Sequence, residues 1–150
     1  MYHFFVRRHL REVFARLNAG DYAFITRQFG PSAVHWFAGQ HALSGERKSP
    51  ARIKEWYERL ANVFPGIRFD IRKLIVAGPP WNTHAAVEWV DEARDRNGKP
   101  LPNQGVFILR LRWGKAIEFR VYCDTARIEK NLGILSSQGV AAASAAPIAG

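Results

Sequence analysis

Four side chains in this sequence are placed to move protons: Asp91, Asp124, His35 and His41. A carboxyl pressed against aromatic rings loses hydration, and its pKa rises toward the neutral range where a general acid or base works. A histidine titrates there without help, which makes His35 and His41 the natural proton shuttles to partner a carboxyl. Asp91 follows Trp89 by two residues in an alternating run, and Asp124 closes the last such run ahead of a helical stretch. Each has a plainer reading. Asp91 is then a rim residue in water, Asp124 an N-cap shared with Thr125, and the histidines hydrogen-bonded core or surface groups. Cys123 reads as a small buried hydrophobe.

Other chemistries find no seat. A single cysteine excludes an internal disulfide and any cysteine-based zinc cluster. The five histidines show no metal-ligand spacing, and neither a glycine-rich phosphate loop nor a Gly-x-Ser-x-Gly elbow occurs. No cofactor and no metal are expected.

The elements that must position these residues follow from periodicity. Residues 4–18 place Val6, Leu10, Val13, Phe14 and Leu17 on one helical stripe, stopped by Asn18-Ala19-Gly20. A core helix is expected, although an Arg-rich amphipathic start also resembles a presequence or a membrane-surface helix. Asp21 caps a short second helix, residues 33–38 form a strand, and 41–45 a second extended piece closed by Gly45. Ser49-Pro50 opens a helix that ends at Pro65-Gly66. The period then changes to two, predicting strands at 67–77, 82–94, 104–113 and 115–123, with Asn97-Gly98 and Trp113-Gly114 as hairpin turns. Residues 125–138 form a closing helix and 141–150 a loose tail, leaving one domain over 1–140. Helices first and hairpin-linked strands afterwards means α+β, with the helices on one face of the sheet.

The pleat then sorts the residues. Thr83, Ala85, Val87, Trp89 and Asp91 share one face of their strand, and Ile117, Phe119, Val121 and Cys123 one face of theirs. Glu88, Arg110, Arg112, Glu118 and Arg120 fall on the opposite, outer face as a cross-strand charge ladder. Of the 150 residues, 47% are hydrophobic and 23% charged, which excludes general disorder, and the 13% aromatic share points to a core or cavity lined by rings. The 22 Lys and Arg exceed the 13 Asp and Glu by nine, yet no basic run is longer than two. Nucleic acid is not expected as a partner, and no apolar run is long enough to span a membrane. A cytoplasmic location is expected.

The order of these elements resembles the nuclear transport factor 2-like superfamily in its SnoaL-like branch, over roughly residues 8–140. The strings that carry the resemblance are Phe29–Gly45, with its His-Ala-Leu-Ser-Gly turn, Ser49–Pro65, Val76–Thr83, Arg110–Lys115 and Tyr122–Thr125. It implies a cone-shaped, cystatin-like α+β barrel: a curved, mostly antiparallel sheet wrapped around N-terminal helices and one apolar pocket, paired as a homodimer through the outer sheet face. The family's sites match in part. Trp36, beside His35, stands where the isomerase branch has its general base, and Val106 and Ile108 where it has its acidic oxyanion donor. Asp91 matches one aspartate of the epoxide-hydrolase branch, but Trp89 and Val121 replace its other two catalytic residues. The polyketide-cyclase branch needs one acid–base aspartate, which Asp91 or Asp124 could supply.

The reading is thus a pocket for a small apolar or ring-containing molecule, lined by Trp36, Phe37, Trp56, Trp89, Phe119 and Val121. An isomerase, cyclase or hydrolase working by acid–base chemistry is expected. The competing expectation is a non-catalytic binding or dimerisation module of the same fold.

Overall fold

Helices form where the apolar stripe recurs at helical period. The computed structural model describes residues 1–150. In it α1 (Tyr2–Asn18) buries Val6, Leu10, Phe14 and Leu17, and Gly20, at φ 74°, reverses the chain in the left-handed region. The Asp21 carboxylate accepts the Phe24 N–H (3.1 Å) and starts α2 (Tyr22–Arg27). Ser49 caps α3 (Pro50–Val63) by accepting the Arg52 N–H (3.2 Å), and Ile53, Trp56, Tyr57, Leu60 and Val63 form its buried stripe. The last long helix, α4 (Thr125–Ser137), buries Ile128, Leu132 and Leu135.

Six strands follow the predicted alternation: β1 (Phe29–Phe37), β2 (Gly45–Arg47), β3 (Arg68–Ala77), β4 (Thr83–Glu92), β5 (Gln104–Arg112) and β6 (Lys115–Cys123). They make one curved sheet in the order β2-β1-β6-β5-β4-β3, open at β2 and β3 rather than closed into a barrel. All pairings are antiparallel except β1 with β6. The helices cover the inner face, and 34 buried residues from every layer form one contiguous core. The total exposed surface of 7959 Å² matches the roughly 7,700 Å² that mass scaling assigns to one packed body.

Three local expectations change. Residues 41–43 form a turn rather than a strand, because the His41 ring closes it, and the strand pairing with β1 is 45–47. A bulge in β6 lets Ala116 pair with Leu111 while Glu118 pairs with Arg110, so Ala116 rather than Ile117 points inward. Residues 141–150 are not a loose tail. They bury Ala143 and Ile148, and Gly150 exchanges backbone hydrogen bonds with Glu46 and Lys48 along the open edge of β2.

Candidate functional site

On β4 the pleat turns Trp89 and Asp91 to the same inner face, about 7 Å apart along the strand. They border a hollow under the sheet, enclosed with Phe37, Trp56, Phe107, Phe119 and Val121 from the neighbouring elements. Of its seventeen lining residues fifteen are hydrophobic; the other two are Asp91 and Asn103. Aromatic rings pack edge to face around it: Phe69 on Trp89 (5.0 Å, 83°) and Phe69 on Phe107 (5.2 Å, 65°). Those rings nearly fill it. The free volume is about 40 Å³, room for a few waters.

One polar atom of this hollow lacks the partner that burial demands, and the half-buried Asp91 has little support from the protein. The Trp89 indole N–H is buried with no acceptor, and an unpaired buried donor costs about 1–3 kcal/mol. Asp91 has one structural bond, the Asn103 N–H to Oδ1 (2.9 Å). Burial drives its pKa up to about 7, and that single hydrogen bond only partly opposes the rise. Asp91 also borders a crevice of about 300 Å³ on the outer side, between Pro65-Gly66 at the end of α3 and the Pro100–Pro102 loop. The carboxyl therefore stands between an apolar interior and an opening to solvent.

Asn103, which the sequence reading missed, organises this end. Its backbone exchanges hydrogen bonds with Asp91, its Oδ1 accepts the Gln104 N–H (2.8 Å), and its Nδ2 donates to the Asp124 carbonyl oxygen (3.3 Å). Its amide also reaches the Cys123 thiol, which burial pushes up to about 11 and so keeps neutral. Gly105 lies opposite Trp89 in the ladder, and a Cβ there would come within 2.7 Å of the indole Cζ2. The Cζ2 edge of the indole packs against that glycine.

The other expected residues divide. Phe37, Trp56, Trp89, Phe119 and Val121 line the hollow. Trp36 does not: it alternates with His35 and Phe37, so the pleat puts it on the outer face, stacked under Arg120 (4.1 Å) and beside Tyr122 (5.1 Å). Asp124 does not either. It is exposed and accepts the Arg127 N–H (3.1 Å) as the N-cap of α4. His41 holds a turn, with Nε2 on the Ala38 carbonyl oxygen (2.9 Å) and Nδ1 accepting the Leu43 N–H (3.2 Å). Burial lowers its pKa, and it lies outside the hollow.

His35 is one layer behind the wall, its ring 4.4 Å from Trp56 and 5.1 Å from Phe119. Its Nδ1 accepts from Arg47 Nε (3.1 Å), so the proton sits on Nε2, which has no partner. Burial, reinforced by the Arg47 charge, holds it well below the usual histidine range. It is neutral at physiological pH and no shuttle. Arg47, read as surface by type, is wholly buried; Nη1 donates to the Ser44 and Ile148 carbonyl oxygens and Nη2 to that of Gly45. On the outer sheet face the expected charge ladder reduces to one ion pair, Arg120 with Glu118 (3.8 Å).

Comparisons with known proteins agree with this architecture. The family model described as a SnoaL-like domain matches residues 10–119. No curated protein matches the chain. Among solved structures, an NTF2-like protein of unknown function from Burkholderia pseudomallei superposes with a TM-score of 0.71 at 16% identity, covering 83% of this chain and 94% of its own. PrhC from Penicillium brasilianum superposes at 0.73 with 14% identity over 88% of each chain. TerC, crystallised with polyporic acid, superposes at 0.68 with 20% identity over 83% of this chain and 92% of its own.

Proposed function

The chain belongs to the SnoaL-like domain family, and on that premise we propose that it binds a small, apolar, ring-containing molecule in the hollow and shifts a proton on it through Asp91. The observation that carries this reading is the environment of Asp91: the one carboxyl on an aromatic hollow, with a pKa raised to about 7. A group so poised is half ionised at neutral pH and serves as base or acid without a large energetic step. The simplest chemistry is proton transfer beside a carbonyl. Asp91 takes the proton from the carbon next to the carbonyl, the electron pair moves onto the carbonyl oxygen, and the proton is returned to another atom of the same conjugated system. The unpartnered Trp89 N–H is the donor available to the oxygen that gains charge. Asn103 is a positioning residue, since its N–H fixes Oδ1 and leaves Oδ2 for the reaction.

The test is deuterium exchange at the carbon next to the carbonyl in a panel of cyclic ketones, with binding followed in parallel. Asp91→Asn is expected to keep binding and lose exchange by about 10²–10⁴-fold. Equal exchange by the variant and the unaltered chain would remove Asp91 from the chemistry.

The free volume favours a second reading. About 40 Å³ is far below the roughly 300–1,000 Å³ of ordinary ligand sites. A ring enters only if Trp89, Phe107 or Phe119 swing aside, a movement that binding and catalysis both require and that a module which only dimerises does not. Binding without exchange in the unaltered chain would establish a module that only binds. As part of the same proposal, two copies pair through the outer sheet face that displays Trp36, Arg120 and Tyr122. A monomer in sedimentation would exclude that pairing.

A further inference from the structure

Seven large apolar side chains are exposed, and five of them stand at one end of the molecule: Met1, Phe4, Phe5, Trp81 and Trp113. The first turn of α1 is tied to the 78–83 turn, with His3 Nε2 on the Gly78 carbonyl oxygen (2.8 Å) and the Tyr2 hydroxyl bonded to that of Thr83. The β5–β6 hairpin tip is tied to the same turn, the Trp113 N–H donating to the Pro80 carbonyl oxygen (2.8 Å). The rings of Trp81 and Trp113 lie 6.1 Å apart. Trp113, at φ 49°, is the single non-glycine residue in the left-handed region, a conformation that L side chains adopt only at a penalty. The turn would be easier with Asn or Gly there; instead it presents an indole at 69% exposure.

The charge at this end is mainly basic. Stretches 1–9, 78–84 and 110–117 hold Arg7, Arg8, Arg110, Arg112 and Lys115, and the acid beside them in the ladder is Glu118, in register with Arg110. None of these five cations is in an ion pair. The apolar groups ride on three projections, a helix start, a turn and a hairpin tip. Exposed rings on three separate elements, flanked by cations, suit a soft, negatively charged surface.

We propose that this end docks the protein peripherally on an anionic lipid bilayer, Phe4, Phe5, Trp81 and Trp113 entering the headgroup layer while the surrounding arginines and Lys115 meet lipid phosphates and carboxylates. Aromatic rings prefer that depth, and each cation near such a surface strengthens attachment by about fivefold at physiological salt. The docking end is independent of Asp91 and of the hollow. An apolar molecule that partitions into membranes would reach the protein there.

The test is co-sedimentation of the full chain with phosphatidylcholine vesicles, alone and with one third phosphatidylserine, at low and high salt, with tryptophan emission followed in parallel. Binding is expected on the anionic vesicles only, weakening as salt rises, with a blue shift in emission. Phe4→Ser with Trp113→Ser is expected to weaken it at least tenfold, and Arg7→Gln with Arg8→Gln by about twenty-fold, both variants keeping the unaltered far-ultraviolet spectrum. No binding to anionic vesicles at low salt would overturn the proposal, as would equal binding to neutral ones or no loss in either variant. Binding of single-stranded nucleic acid or a second copy through the same residues, with vesicles left unbound, would overturn it too.

Discussion

Arg47, at the β1–β2 end of the aromatic core, has no contact with solvent, yet it donates to four acceptors: His35 Nδ1 and the carbonyl oxygens of Ser44, Gly45 and Ile148. Asp91 and Trp89, at the β4 end of the same core, hold one internal hydrogen bond between them. Both ends carry polar groups into apolar surroundings, where each unmatched group is costly. At the Arg47 end nearly all of that demand is met by backbone, and the arginine stays charged although burial draws it down to about 10. The His35 Nε2 proton is its one loose end. At the Asp91 end the Trp89 N–H has no acceptor and the carboxyl has a single protein donor, beside a hollow and a crevice. A buried charge with its partners supplied is a fastening; a carboxyl with one protein donor, standing between a hollow and a crevice, is positioned for something else to meet it.

The largest effect that would break this contrast lies at the fastened end. Arg47→Ala leaves His35 Nδ1 and three carbonyl oxygens without donors, and about 3–4 kcal/mol of stability should be lost in urea unfolding. Hydrogen exchange should rise at Lys48 and Gly150, because Arg47 holds Ile148 in place beneath them. Loss below about 1 kcal/mol would mean the network is ornamental.

Gly105→Ala comes next. The new Cβ meets the Tyr122 carbonyl oxygen and the Trp89 indole, and about 2–3 kcal/mol should go as the ring is pushed off its strand. Ligand binding in the hollow should fall with it, whereas Arg47→Ala acts on stability first.

Asp91→Asn should move the other way. A carboxyl held at about 7 in the fold and near 3.8 in the unfolded chain binds its proton more tightly when folded. Stability is therefore full below about pH 4 and declines as pH rises through 7, where ionising the buried carboxyl opposes folding. Asn keeps an oxygen for the Asn103 N–H and carries no charge. The variant should match the unaltered chain at pH 4 and exceed it by about 2 kcal/mol at pH 8, a figure discounted for partial exposure. A loss of stability at pH 8 would place Asp91 among the fastenings.

Asp124→Ala is the smallest change. It removes an exposed N-cap and should cost about 1 kcal/mol without altering ligand binding or any pH profile.

Much of this was legible in residue order, and the exceptions have physical causes. Strand alternation alone placed Trp89, Asp91, Phe119 and Val121 on one wall, because a half-buried strand has period two and β4 keeps it without a bulge. The same rule excludes Trp36, which entered the lining through family resemblance rather than through its own parity with His35 and Phe37. Asn103 escaped because it precedes β5, where no periodicity reports which way a side chain turns. Arg47 escaped because arginine by type belongs outside, and its carbonyl partners are contributed by shape, one of them 101 residues away. The packing of 141–150 was hidden for a similar reason: small residues carry little pattern until an edge strand and a buried guanidinium give them something to bind.

The central claim is that Asp91 is an interior acid held near neutrality, and its own titration tests it most directly. The carboxyl carbon resonance of Asp91, assigned by its disappearance in Asp91→Asn, should titrate with a midpoint at about 7. A midpoint near the ordinary aspartate value of about 4 would show a solvated rim carboxylate, and the proposed proton transfer would lose its acid.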